Sequence, residues 1–266
     1  MAFTVDRQHV KDAFASYVAD YDASDSKVNL KIIHTYHVAE MCDAISDSLH
    51  LTSEDRDTAW LCGMLHDIGR FEQLRRYGTF SDKRSVNHAA LSADLLFHDG
   101  LIRHFVEDNS KDSLVEKTIR LHNVFLLPEN LSDKELLICN ILRDADKIDI
   151  IRANYETPLS VIYDLPEEEF YTTPISDSVY DAAMKGINVN REYSQTAVDY
   201  LIGYICFVYG LVFPESFRQV QKQGYLDRML QFQSRNPETA ERFSQIRAAV
   251  LNYVNSRINP DLKITI

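Results

Sequence analysis

The segment Ala59-Trp60-Leu61-Cys62-Gly63-Met64-Leu65-His66-Asp67-Ile68-Gly69-Arg70 constrains this chain more than any other. Apolar residues fill nearly every position from Ala59 to Leu65, so the helix there is buried on most sides rather than amphipathic. It ends on an adjacent histidine and aspartate, which places two metal-binding groups at the lip of a core. Burying the carboxylate costs on the order of several kcal/mol unless a cation or hydrogen bonds compensate it. A positive group is therefore expected beside Asp67.

The chain has 266 residues, 45% of them hydrophobic, enough for one large domain or a domain with a substantial appendage. Eight glycines and seven prolines are spread thinly among long 3.6-period stretches, which predicts an all-α fold. A formal net charge of −12 argues against a generic binder of nucleic-acid polymer or anionic membrane, since no basic field would draw in the polyanion. A small phosphorylated substrate stays compatible with that charge, because a bound metal reverses the local field at one site. Cys42, Cys62, Cys139 and Cys206 form no CxxC pair and lie in apolar helical stretches. They read as buried small hydrophobes in a reducing compartment. The N-terminus lacks a basic region followed by an apolar core. The longest apolar run, Leu201 to Phe213, is shorter than the roughly 20 residues of a membrane span and reads as a buried helix. A soluble, cytoplasmic protein is expected.

The periodicity predicts helices at about 6–20, 27–49, 54–72, 83–98, 111–125, 132–153, 195–212, 215–232 and 237–257. Thr52-Ser53-Glu54-Asp55 and Ser132-Asp133-Lys134-Glu135 offer caps, as do Ser110 and Asn236-Pro237. Residues 154–194 differ, with Pro158, Pro166, Pro174, the run Glu167-Glu168-Glu169 and Tyr155, Tyr163, Tyr171, Tyr180 and Tyr193. They read as an irregular connection with short helices, either a lid or a surface excursion whose tyrosines only pack. The expected organisation is a core at 1–153, this connection at 154–194, and a helical extension at 195–266. That extension is expected to pack on the core, closing a pocket or making a homodimer contact. The closing Lys263-Ile264-Thr265-Ile266 is too short to interpret.

Other residues point toward the same place as His66-Asp67. His34 lies on a stripe with Leu30, Val38, Met41 and Ile45, and His122 falls in register with Leu114, Thr118 and Phe125. Asp146 follows Cys139 and Leu142 on a face continued by Ile150, where a buried aspartate needs a partner. His88 opens Ala89-Ala90-Leu91-Ser92-Ala93, whose small residues allow a close helix approach. Taken singly, each inward histidine fits a hydrogen-bonded core residue as well as a ligand. No two are a helical turn apart on one helix, so spacing alone does not join them.

The order of these residues, however, resembles the HD-domain superfamily of metal-dependent phosphohydrolases. The match runs from His34 in Lys31-Ile32-Ile33-His34-Thr35-Tyr36-His37 through His66-Asp67 and His88 to His122 in Ile119-Arg120-Leu121-His122-Asn123. It closes on Asp146 in Arg143-Asp144-Ala145-Asp146-Lys147-Ile148-Asp149 and covers about residues 27–153. The resemblance implies an all-α helical bundle and one metal held by His34, His66, Asp67 and Asp146. It implies a second metal on His88 and His122, with Asp67 bridging. Such a ligand set, without thiolate, suits Fe, Mn, Co, Ni or Zn.

Two close cations clamp a phosphate ester and lower the pKa of a shared water. Asp67, Arg70 and Lys147 are the catalytic candidates, and Arg70, Lys83 and Arg84 the candidates for binding an anionic substrate. Competing readings place Arg70 as a cap on a helix C-terminus, Lys147 in a surface pair with Asp144, and Lys83 and Arg84 in a solvated turn. His37 and Asp149 are candidates for orienting a ligand. Relatives often carry arginine at the position of His37. Asp144 is set on another helical face, since two residues rotate roughly 200°. His9, His50, His98 and His104 read as surface or packing residues.

The leading expectation is a phosphohydrolase acting on a nucleotide or another small phosphate ester. The Gly-Tyr-Pro mark of cyclic dinucleotide phosphodiesterases is absent, as are the extended motif of deoxynucleotide triphosphohydrolases and the acidic pair of alarmone hydrolases. Inositol oxygenase and organophosphonate-cleaving oxygenases share the ligand order, so a di-iron oxygenase is the alternative. A non-catalytic ligand sensor is a third reading, disfavoured by the intact set.

Overall fold

The computed structural model describes residues 3–158, 162 and 165–258. Tyr163 and the closing segment from Lys263 to Ile266 lie outside the described residues. The described residues are predominantly helical and contain no strand, as the periodicity predicts. The chain divides into two units, Met1–Asp146 and Lys147–Ile266.

In the first unit the helices are α1 (Arg7–Val18), α2 (Ser26–Ser48), α3 (Ser53–Leu65), α4 (Ile68–Tyr77), α5 (His88–Ala93) and α6 (Asp112–Leu121). The unit ends within α7 (Asp133–Glu156), a helix shared by both units. Helix α1 starts on Asp6, whose carboxylate accepts the amides of Gln8 and His9. Arg7 then fastens it, donating to Asp43 at 2.6 and 2.9 Å and to Asp57 at 3.0 Å while lying over the Trp60 ring. Helices α2 and α3 form the central pair. A Cβ on Gly63 would stand 2.8 Å from Ala39 Cα, so only glycine lets the two backbones come this close. Helices α4 and α5 meet in the same way: a Cβ on Gly69 would lie 2.6 Å from the Ser92 amide nitrogen, and the Gly69 amide donates to Ser92 Oγ at 3.0 Å. The small residues after His88 thus face a glycine.

Several elements differ from their periodicity. The helix expected over 54–72 breaks at His66-Asp67 and resumes as α4, which runs on to a left-handed Gly78. Arg70 therefore stands in the first turn of a helix and does not cap a C-terminus. The stretch expected to be helical from 83 is a 3-10 turn, Asp82–Arg84, followed by a loop; α5 starts only at His88, capped by Asn87 Oδ1 on the Ala90 amide at 3.0 Å. A π-turn, Asp94–His98, ends that stretch. Helix α6 stops at Leu121 rather than 125 because Arg143 takes the carbonyls of Leu121, His122 and Val124 at 3.1, 3.0 and 2.6 Å. Phe125 is consequently exposed, and the buried face of α6 is Val115, Thr118 and Ile119. Lys111 rather than Ser110 occupies the cap position. On α2 the buried stripe includes Val38, Cys42 and Ile45 with His34, while Leu30 and Met41 are half-buried.

In the second unit, helices α8 (Glu167–Thr172), α9 (Asp177–Met184), α10 (Ala197–Ile205), α11 (Pro214–Gln223), α12 (Tyr225–Met229) and α13 (Pro237–Ile258) surround a core that includes Phe170, Phe217 and Phe243. The pattern expected over 215–232 is split by the left-handed Gly224, and that over 195–212 ends in a 3-10 turn, Cys206–Gly210. Asp199 is fully buried yet satisfied. It accepts the Ser176 hydroxyl at 2.6 Å and the amides of Ser176, Gln195 and Thr196 at 2.9–3.1 Å, closing a capping box with Thr196. Thr239 and Arg242 on α13 bind the carbonyls of Thr173 and Ile175, tying the segment between α8 and α9 to the last helix. No described helix is long and apolar enough to cross a membrane. All four cysteines are buried and free, and burial pushes the Cys206 thiol up to about 12.

The contact at Gly63 sets a stability prediction. Gly63→Ala is expected to lower the unfolding free energy by about 1–3 kcal/mol through overpacking against α2. The urea midpoint checks it, and an unchanged midpoint would contradict the close approach.

Candidate metal centre

Five short stretches of backbone bring the sequence candidates together. His34 comes from the middle of α2, His66 and Asp67 from the break between α3 and α4, and His88 from the start of α5. His122 caps the end of α6, and Asp146 lies in α7. All four of these histidines and Asp67 are buried. The break after Leu65 aims both His66 and Asp67 inward, which consecutive residues of an unbroken helix would not do.

Asp67 stands between two groups. Its Oδ2 is 3.6 Å from His34 Nε2 and 3.5 Å from His66 Nε2, and Asp146 Oδ1 approaches the same two nitrogens at 3.2 and 3.8 Å. Its Oδ1 is 3.5 Å from His88 Nε2 and 3.7 Å from His122 Nε2. The donor atoms of His34, His66 and Asp67 lie within 4.8 Å of one another, and so do those of Asp67, His88 and His122. One carboxylate thus offers one oxygen to each side.

The hydrogen bonds leave this cluster short of protons. The other ring nitrogen of His122 faces the Ile119 carbonyl at 2.8 Å, and that of His88 faces Asp82 Oδ2 at 2.6 Å. Each ring therefore carries its proton on Nδ1 and turns a bare Nε2 inward. Those two Nε2 atoms are 3.0 Å apart, lone pair against lone pair. Asp67 Oδ1 beside them is buried with no hydrogen-bond partner. Burial drives the histidines toward their neutral form, His88 down to about 3 and His122 down to about 4. A cation resolves all three anomalies, and neutral imidazole with carboxylate is a donor set that divalent transition metals take. The spacing also fits: bonds of about 2.0–2.1 Å at the tetrahedral angle separate two ligand atoms by about 3.3 Å.

Burial alone would raise the Asp67 carboxyl, but Lys31, His66, Arg70 and His88 together hold it well below the usual carboxylate range. Lys31 Nζ donates to Asp67 Oδ2 at 2.6 Å. This is the positive group expected beside Asp67, and sequence reading missed it. Its one signal was its place three residues before His34, on the same helical face. Asp82 was missed as well. It lies in an irregular turn six residues before His88, where no periodicity reports on side-chain direction.

The remaining candidates are placed as follows. Arg70 Nη1 donates to Gln73 Oε1, the Phe80 carbonyl and Asp82 Oδ1 at 2.6, 2.7 and 3.0 Å, while its Nε stands 3.7 Å from Asp67 Oδ1. It is built into the wall of the cluster. Lys83 and Arg84 are exposed on the 3-10 turn, Arg84 donating to Thr79 Oγ1, and lie outside the buried cluster. Lys147 opens the second unit and is buried, as is Asp144, so a surface pair of the two is ruled out. Asp149 is engaged by Arg152 through two bonds of 2.6 and 2.9 Å within α7. His37 is half-buried on α2. His98 is exposed beside Asp99, and His9 meets the His104 carbonyl.

The bare nitrogens generate a prediction that does not involve turnover. A divalent transition metal at about 100 times its Kd is expected to add about 2.7 kcal/mol to stability, because it binds only the folded cluster. Thermal melts with Mn²⁺ or Zn²⁺, reversed by chelator, read the shift. Identical melts with and without metal would refute it.

No curated protein and no solved structure showed significant similarity to the chain. The family model of the HD domain matches residues 32–151, a stretch that contains all six clustered residues. Over that stretch the chain is similar to the HD domain.

Proposed function

We propose that this chain is a metal-dependent phosphohydrolase acting on a nucleotide or another small phosphate ester through a binuclear His/Asp site. HD domains bind divalent metals and are generally hydrolases, and this chain presents the His/Asp groups for it. The observation that carries the reading is Asp67, whose two oxygens face separate histidine pairs, with Oδ1 left without a hydrogen bond. His34, His66, Asp67 and Asp146 would hold one ion, and Asp67, His88 and His122 the other. When bound, such ions supply Lewis acidity toward a phosphoryl oxygen and lower the pKa of an attacking water.

The chain's own residues do the rest. Lys31 and Arg70 bring two cations to Asp67, and both also lie over the Phe80 ring, at 5.7 and 5.6 Å from its centroid. Positive charge at this spot suits an anionic substrate in a chain whose net charge is −12. That suits a phosphate ester and disfavours a neutral polyol as substrate. Arg70 is already committed to the 80–82 turn, so its part is to hold Asp67 and Asp82 in place. Lys31 is the freer of the two to meet a phosphate oxygen.

Elemental analysis of the purified protein, followed by a panel of nucleotides and phosphate esters with the metal found, tests the proposal. Phosphate release independent of oxygen supports it. Turnover that consumes oxygen, with a mixed-valence iron signal in electron paramagnetic resonance, would replace it with the oxygenase. His66→Ala and Asp67→Ala are expected to strip metal and abolish activity, whereas His122→Ala is expected to lose mainly one of two equivalents. Full metal content in either of the first two variants would show the ligand assignment to be wrong.

A further inference from the structure

His66, His122 and His88 are not held alike. His66 and His122 each give Nδ1–H to a carbonyl one turn back in their own helix, Gly63 and Ile119, both at 2.8 Å. Those contacts come with the helix and carry no net charge. His88 has no such carbonyl, because it is the first residue of α5. Its Nδ1–H goes instead to Asp82 Oδ2 at 2.6 Å, across a loop.

Asp82 is itself held from several directions. Its Oδ1 accepts Arg70 Nη1 and Gln73 Nε2, both at 3.0 Å. The Gln73 amide, fully buried, also binds Ser85 Oγ and the Val86 carbonyl at 2.9 Å, fixing the loop that leads to His88. On the far side Asn123, the residue after His122, donates to Asp82 Oδ2 at 3.3 Å and to Asn87 Oδ1 at 3.2 Å. One carboxylate therefore connects the surroundings of both histidines on the second side of Asp67.

We infer that Asp82 is the positioning residue of the second metal position, setting the affinity there separately from the first. The inference rests on the binuclear reading above. A carboxylate behind an imidazole fixes its tautomer and makes its other nitrogen a stronger donor, and losing such a partner typically weakens metal binding by about 10–100-fold. At the first position no corresponding carboxylate contact stands behind His66. On the second side of Asp67, His122 is set by its helix and His88 by the 78–87 loop, so the loop is where the affinity for a second ion is set.

The test is calorimetric titration of Mn²⁺ into the full chain after removal of metal by chelator. Wild type is expected to take two equivalents. Asp82→Asn, which keeps the shape but loses the charge, is expected to bind the second about 10–100-fold more weakly and the first within about twofold. Asp82→Glu is expected to recover part of the loss. Gln73→Leu, which removes one support of Asp82, should weaken the second ion in the same direction, and it stands in if Asp82→Asn folds poorly by circular dichroism. Two equivalents bound by Asp82→Asn as by wild type, or an equal weakening of both, would overturn the inference alone. A wild-type chain that takes only one equivalent would overturn the binuclear reading and this inference with it.

Discussion

The Asp67 carboxylate is the constraint on which the first unit depends. It is buried between four histidines, and its ionised form survives because Lys31 and Arg70 stand beside it. Everything around it serves to bring those groups within 4 Å. The α3–α4 break turns His66 and Asp67 inward together, and Gly63 and Gly69 let α2 and α5 come close enough for His34 and His88 to reach. A larger residue at either glycine would push a ligand away from the shared carboxylate.

The histidines around Asp67 are oriented by different means. His66 and His122 take their orientation from a carbonyl within the same helix, a contact that the backbone provides wherever the helix forms. His88 takes it from Asp82 on a loop held by Arg70 and Gln73. Loops tolerate change more readily than packed helices. On the Oδ1 side of Asp67, His122 is set by its helix and His88 by a loop, so the loop is the natural point at which that side of the cluster is tuned.

The likeness of residues 32–151 to the HD domain was available from residue order, because the six residues are chemically distinctive and set in apolar helical frames. Helix lengths were less legible. The pattern from 54 to 72 is continuous in hydrophobicity, and nothing in its composition marks the break at His66-Asp67. The early end of α6 depends on Arg143, more than twenty residues away in sequence, whose guanidinium takes the carbonyls that a longer helix would have used. Contacts of that range leave no periodic trace.

By itself the sequence determined that the chain is helical and that Asp67 is buried and needs a positive neighbour, since residue type and burial pattern are local properties; six residues were joined into one site only through the resemblance of their order to the HD-domain superfamily. Only the tertiary structure decided that the neighbour is Lys31, that Arg70 is a strut between Asp67 and Asp82, and that Lys83 and Arg84 face solvent. Only it put the two Asp67 oxygens toward different histidine pairs. Side-chain direction at a helix break or in a turn is set by what packs from elsewhere in the chain, and no spacing along the sequence encodes it.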